Sequence, residues 1–250
     1  MRLIVILLLL AWPARAETVD LQLVLAVDAS GSVSAERFAL QKQGYAAAFR
    51  DPRLLRAIIG GAHQRIAVAM VQWTGPRLQV LVVDWHEVRD AGSAAALAAK
   101  IEAAPRRLFG GGTSISGVID YALGLFERGG QAGARRVIDI SGDGANTSGR
   151  PVGIARDDAV AAGVTINGLP ILAVEPDLDA HYRDAVIGGP GAFMIAIDRY
   201  DQFAPAILRK LVSEIAGTGL ARHVGAPERQ RGRSFFAWQP SVGESTESAR

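Results

Sequence analysis

Six short apolar runs punctuate the chain, and between them apolar residues recur at every third or fourth position. The first run, Leu21 to Val27, is broken only by Gln22 and ends at Asp28, which predicts a strand buried on both faces. Ala35 to Phe49 follows with Phe38, Tyr45 and Phe49 on one helical face, and Ser34 is placed to cap it. Ile66 to Trp73 and Leu78 to Trp85 flank the turn signal Gly75-Pro76 and predict a hairpin. An Ala-rich helix is expected over Ala91 to Ala103, before the break at Gly110-Gly111-Gly112. Ile115, Val118, Ile119, Ala122, Leu125 and Phe126 keep helical spacing up to Gly129-Gly130. Arg136 to Ile140 predicts a strand that runs into Ser141-Gly142-Asp143-Gly144. Then come a helix (Val152 to Ala162), a strand (Val164 to Leu169), a helical piece (Leu178 to Val186) and a strand (Phe193 to Ile197). A last helix carries Phe203, Ile207, Leu208, Leu211, Val212 and Ile215 on one face.

Strands that alternate with helices pair in parallel through crossovers. The expected fold is therefore α/β: a doubly wound, mostly parallel sheet of about six strands, Rossmann-like, with helices on both faces. The hairpin adds one antiparallel edge strand. Aromatics make up only 6% of the chain, so the core must rest on Val, Ile, Leu and Ala, as buried parallel strands do.

The N-terminus departs from this pattern. Arg2, the apolar run Leu3 to Ala11, and Trp12-Pro13-Ala14-Arg15-Ala16 have the order of a secretory signal peptide, expected to be cleaved after Ala16. The run is about half of the ~20 residues that a spanning helix needs, so no stable membrane insertion is expected after cleavage. The mature chain is expected to be exported, to the periplasm or the medium. Residues 17–218 form the predicted domain, and 219–250 a flexible, solvated tail in which Arg222, Arg229, Arg231 and Arg233 cluster. Loss of Arg2 and Arg15 balances the 25 acidic residues with 25 basic ones, so charge gives no warrant for nucleic-acid binding. The chain has no cysteine, which removes thiolate nucleophiles, cysteine metal sites and a lipid-modified cysteine.

In doubly wound sheets ligands gather at the carboxyl ends of the strands, near the point where strand order reverses. Oxygen-bearing side chains concentrate there. The first strand ends in Asp28-Ala29-Ser30-Gly31-Ser32, a later one in Ser141-Gly142-Asp143-Gly144, and the triple-glycine loop presents Thr113 just before a helix. Together these residues resemble the metal-ion-dependent adhesion site (MIDAS) of von Willebrand factor A domains: an Asp-x-Ser-x-Ser loop, a distant Thr and a distant Asp. Asp28, Ser30 and Ser32 match the loop, Thr113 the Thr and Asp143 the second Asp. The resemblance implies direct metal ligation by Ser30, Ser32 and Thr113, with Asp28 and Asp143 binding directly or through water. It implies Mg²⁺ or Mn²⁺ as the ion, and a partner protein or peptide whose Asp or Glu carboxylate fills the open position. Mg²⁺ is a hard cation that wants oxygen ligands, and hydroxyls leave it attractive to a further carboxylate. Val71 to Gly75, Ile140 to Gly144 and Val186 to Phe193 are also similar to segments of an uncharacterised family of exported bacterial A-like proteins, which brings no established activity with it.

Other chemistries find less support. None of His63, His86, His181 and His223 ends a core strand, and there is no His-Glu-x-x-His. No Gly-x-Ser-x-Gly elbow is present, and no Walker lysine follows the glycine loop. Asn146-Thr147-Ser148 spells a glycosylation sequon in what should be an exposed loop. Asp139 interrupts an apolar strand, which calls for a strand edge or a basic partner. The leading expectation is a metal-dependent binding module rather than an enzyme; the alternative is a Mg²⁺-dependent hydrolase or phosphate-handling enzyme that uses the same site.

Overall fold

The computed structural model describes residues 18–129 and 131–217. The expected signal peptide (1–16) and tail (219–250) lie outside them. In chain order the elements are β1 (Thr18–Val19), β2 (Leu21–Asp28), α1 (Ala35–Arg50), α2 (Pro52–Ile59), β3 (Ile66–Trp73), β4 (Gln79–Val88), α3 (Ala91–Ala103) and α4 (Ile115–Arg128). They continue with β5 (Ala132–Gly133), β6 (Arg136–Gly142), α5 (Val152–Ala161), β7 (Val164–Pro170) and α6 (Leu178–His181). A π-helical turn at Tyr182–Val186, a 3₁₀ turn at Tyr200–Gln202 and α7 (Phe203–Ile215) complete the described chain.

The main sheet has five strands in the order β4-β3-β2-β6-β7, all parallel except the hairpin partner β4. The two-residue strands β1 and β5 pair beside it. Because side chains alternate along a strand, β2 feeds two cores. Leu21, Leu23, Leu25 and Val27 pack with Phe38, Tyr45 and Phe49 of α1, Leu97 and Ile101 of α3, and Phe203, Ile207 and Leu211 of α7. Val24 and Ala26 face Ile115, Val118 and Ile119 of α4 and Ala155 and Ala159 of α5. Helices thus cover both faces, as the alternation of apolar runs predicts.

Two expectations change. Pro52–Ile59 is a helix missing from the expected elements, although Leu54, Leu55, Ile58 and Ile59 keep helical spacing; Asp51, which caps the Arg53 N–H at 2.8 Å, and proline in the first turn mark its start. Phe193 to Ile197 lies along β7 as isolated bridges, not as a regular strand. Ile195 donates to the Gly168 carbonyl and Ile197 to that of Pro170, both at 3.1 Å. Pro170 has no N–H to return, so the ladder breaks there.

Strand order reverses at β2, which leads through α1 and α2 to β3 on one side and has β6 on the other. The carboxyl ends of β2 and β6 are therefore neighbours at the position where such sheets hold ligands. Among the described residues no helix is long and apolar enough to cross a membrane.

Candidate metal site

Asp28 is the last residue of β2, and Asp143 follows the last residue of β6; both are fully buried. The backbone leaves β2 in a tight loop that the Asp28 carboxylate itself organises. Asp28 Oδ1 accepts the Ser30 N–H at 2.7 Å, and Oδ2 accepts the Asp143 N–H at 3.4 Å. The Ser30 and Ser32 hydroxyls hydrogen-bond each other at 3.1 Å, and Ser32 Oγ donates to Asp143 Oδ1 at 2.5 Å. Four of the five expected residues thus form one hydrogen-bonded cluster.

Thr113, half-buried, borders that cluster from the glycine loop. A Cβ built on Gly144 would stand 3.5 Å from Thr113 Oγ1, so the hydroxyl abuts the loop that carries Asp143. The Thr113 backbone is anchored: its carbonyl accepts the N–H groups of Thr147 and Ser148 at 2.9 and 3.1 Å. Gly111 and Gly112 have φ of +112° and +84°, a conformation that glycine adopts without strain, and they aim this turn back toward the strands.

Gly142 explains how the two loops approach so closely. A Cβ there would lie 2.9 Å from Asp28 Oδ2 and 3.2 Å from the Trp73 ring. Only hydrogen fits between the carboxylate and the strand.

Several residues that the sequence does not point to fix this geometry. Tyr200 Oη donates to Asp143 Oδ2 at 2.8 Å. Arg37, in the first turn of α1, donates to the Ser32 carbonyl at 2.9 Å, approaches Asp143 Oδ2 at 3.6 Å and lies over the Tyr200 ring. Arg106 Nη2 donates to the carbonyls of Ala29 and Ser30 at 3.1 and 3.3 Å. Gln41 Nε2 donates to the Asp28 carbonyl at 3.2 Å, and Gln41 Oε1 accepts the Ser141 hydroxyl at 3.1 Å. Arg37 and Gln41 come from the helix that follows the loop, whereas Tyr200 and Arg106 come from distant parts of the chain, and no spacing rule links Tyr200 to Asp143. Glu175 also borders the site and accepts the Ala145 N–H at 3.1 Å.

Burial dominates the electrostatics. Desolvation raises the Asp28 carboxyl from its ordinary 3.8 to about 7, opposed by the Ser30 hydrogen bonds and reinforced by the neighbouring Asp143 charge. Burial likewise pushes the Tyr200 phenol well above its usual range, with Asp143 adding to the shift. Two carboxylates side by side at full burial are costly without positive charge, of which Arg37, 3.6 Å from Asp143 Oδ2, supplies a part. No group of three or more His, Cys, Asp or Glu side chains able to hold a metal converges among the described residues. The donor set is instead two carboxylates and three hydroxyls, which suits a hard, oxygen-seeking cation better than a nitrogen- or sulfur-seeking one.

The remaining expectations concern the margins. His181 is half-buried and accepts the Asn146 N–H at 3.3 Å; burial lowers its pKa. Asn146 is half-buried rather than fully exposed: its Oδ1 accepts the Ser116 N–H at 2.9 Å, and its Nδ2 donates to the Arg150 carbonyl. Asp139 stands in the interior strand β6, and its basic partner is Lys210, 2.6 Å away.

A parallel sheet with one antiparallel edge strand, covered by helices on both faces, is the architecture of von Willebrand factor A domains. Solved structures similar to this one bear that out at the level of fold. Proximal thread matrix protein 1 from the mussel byssus aligns with a TM-score of 0.59 at 15% identity, over 81% of this chain and 49% of that one. A structure of the same mussel protein with a zinc-occupied MIDAS motif gives 0.57 at 15%, over 81% and 50%. The von Willebrand factor type A structure from Catenulispora acidiphila gives 0.54 at 17%, over 80% and 43%. The chain spans about half the length of these proteins. No curated protein matches its sequence. The chain belongs to the family described as "Protein of unknown function (DUF1194)", whose model matches residues 18–219.

Proposed function

We propose that the chain is an exported binding module that holds one Mg²⁺ or Mn²⁺ ion at Asp28, Ser30, Ser32, Thr113 and Asp143, and that grips an Asp or Glu carboxylate of a partner protein or peptide through it. The observation that carries this reading is the convergence of two fully buried carboxylates on the hydroxyls of Ser30 and Ser32. Two negative charges at that depth are costly unless a cation offsets them. The Thr113 hydroxyl at the rim makes no hydrogen bond with a described residue and is free to serve as the fifth ligand. When bound, the ion supplies an electrophilic contact for an incoming carboxylate.

The chain's own residues supply rigidity. Tyr200 and Arg37 hold Asp143, Gln41 holds the Asp28 carbonyl, and Arg106 holds the two carbonyls that follow. Partners of this kind orient ligands and are needed for tight metal binding. The zinc-occupied MIDAS motif of the mussel protein supports a divalent cation in this fold; the preference for Mg²⁺ or Mn²⁺ rests on the all-oxygen donors. Export rests on the pattern of residues 1–16.

The test uses immobilised protein and short capped peptides that contain Asp or Glu, beside their Asn and Gln counterparts, in Mg²⁺ or in EDTA. Retention of the acidic peptides alone, and only with Mg²⁺, is expected. Equal retention of the amide peptides would overturn the carboxylate reading. Metal-dependent turnover of a phosphate monoester, lost in Asp143→Ala, would favour the hydrolase instead.

A further inference from the structure

On the α7 face of the sheet lies a second buried polar group that the metal site does not use. Asp139 stands in the middle of β6, between Leu25 of β2 and Asn167 of β7. Lys210 and Glu214, one turn apart on α7, reach it from the covering layer. Asp139 and Lys210 are fully buried, and Glu214 is 3% exposed. Lys210 Nζ is 2.5 Å from Glu214 Oε1 and hydrogen-bonds to it. The same nitrogen is 2.6 Å from Asp139 Oδ1, yet neither oxygen of Asp139 has a hydrogen-bond partner. The amine therefore presses on the Asp139 carboxyl without the alignment of a hydrogen bond. Asn167 Nδ2 fixes Glu214 Oε1 at 2.8 Å, and the Phe193 ring covers the nitrogen at 5.4 Å.

Two carboxyl groups and one amine, buried together, are neutral as a set only when they share one extra proton. Burial raises both carboxyl pKa values, which favours that proton's presence. An acid, an amine held against it and a neighbouring carboxyl able to carry protons are the ingredients of an amide condensation.

We propose that Lys210 and Asp139 condense to an intramolecular amide that ties α7 to the middle of the sheet, with Glu214 as the proton relay. A bond forms between Lys210 Nζ and Asp139 Cγ, and one Cγ–O bond breaks. Asp139 starts as the acid and Glu214 as the carboxylate: Glu214 takes one proton from the Lys210 ammonium, passes it to the departing Asp139 hydroxyl, which leaves as water, and accepts the second nitrogen proton to end as the neutral acid; no atom changes oxidation state. The product replaces a buried ammonium–carboxylate pair by a neutral amide. The chain has no cysteine, so a side-chain amide is the kind of covalent tie open to it.

The experiment is tryptic digestion of the purified full chain followed by tandem mass spectrometry. The expected product is a branched peptide that joins the fragment beginning at Val137 to the one beginning at Lys210, which stays uncut after Lys210 because its amine is blocked, and it is one water lighter than the two sequences together. In Glu214→Gln trypsin should cut after the free Lys210, and the fragment beginning at Val137 and the fragment beginning at Leu211 should appear unlinked at full mass. Separate, unmodified fragments from the wild type would overturn the proposal. So would a loss of water that maps to Asp143-Gly144, where a cyclic imide gives the same mass change. An undiminished cross-link in Glu214→Gln would overturn the relay.

Discussion

Gly142 has room for a hydrogen and nothing larger, because the Asp28 carboxylate and the Trp73 ring close over it. Gly142→Ala should lower stability by about 1–3 kcal/mol, the usual cost of overpacking a tight site, and should weaken metal binding as Asp28 is pushed aside. Denaturant unfolding and a metal titration of the same variant check both effects. Asp28 also sets a pH dependence. Its folded-state pKa, about 7, lies above the ordinary 3.8, so the metal-free folded chain holds this proton more tightly than the unfolded chain does. Its contribution to stability is therefore most favourable below about pH 4 and is lost as pH rises toward 7. Glu214, also raised to about 7 by burial, acts in the same direction. A cation competes with the Asp28 proton, so metal affinity should fall by about tenfold for each pH unit below 7 and level off above it. Calorimetry at pH 6 and pH 8 measures this; equal affinities would show that Asp28 is not a ligand or is already ionised at pH 6. At this scale the residues of the proposed site were legible as a five-residue pattern of strand ends and glycine turns, of which the fold joins Asp28, Ser30, Ser32 and Asp143 in one hydrogen-bonded cluster. Tyr200, Arg37 and Arg106 were not legible, because their positions depend on how distant elements pack.

Helix α7 meets α1 at Gly44, where an added Cβ would come within 2.6 Å of the Phe203 ring and 3.3 Å of the Ala204 Cα. The ring can swing only a little, since it also packs edge-on against Tyr45 at 5.3 Å. Gly44→Ala should cost about 1–3 kcal/mol by overpacking, read as a lower denaturation midpoint with an unchanged slope. Measured against the Glu214-intact chain before the amide forms, Lys210→Met is the harsher change, because it leaves Asp139 and Glu214 as two buried carboxyl groups without a cation and removes the amine of the proposed cross-link. A loss of about 3–5 kcal/mol is expected, and restored stability at acid pH, where both groups are protonated, would identify the cause. A pH-independent loss would point to packing instead. Continuous apolar runs made β2, β3, β6 and β7 legible, and helical spacing did the same for α1, α4 and α7. Helix α2 escaped because its cap signal, Asp51-Pro52, follows directly on α1. The stretch Phe193 to Ile197 has the composition of a strand, but a single missing N–H at Pro170 decides its pairing.

For the whole molecule, the mostly parallel sheet covered by helices follows from the alternation of elements, whereas the five-strand order with its reversal at β2 emerges only from the packed sheet. That reversal brings Asp28 and Asp143 together across 115 residues of chain. A ligand that binds only the folded state stabilises it, by about 2.7 kcal/mol at a hundred times its dissociation constant. Saturating Mg²⁺ should therefore raise the melting temperature of the wild type and leave that of an Asp28→Ala, Asp143→Ala double variant unchanged. The most direct test of the account is calorimetric titration of metal-stripped wild type with Mg²⁺ and Mn²⁺, beside the same double variant shown to be folded. Saturable binding of a single ion by the wild type, absent in the variant, is the predicted result. Identical titrations of the two proteins would contradict the account and reduce the five residues to loop chemistry.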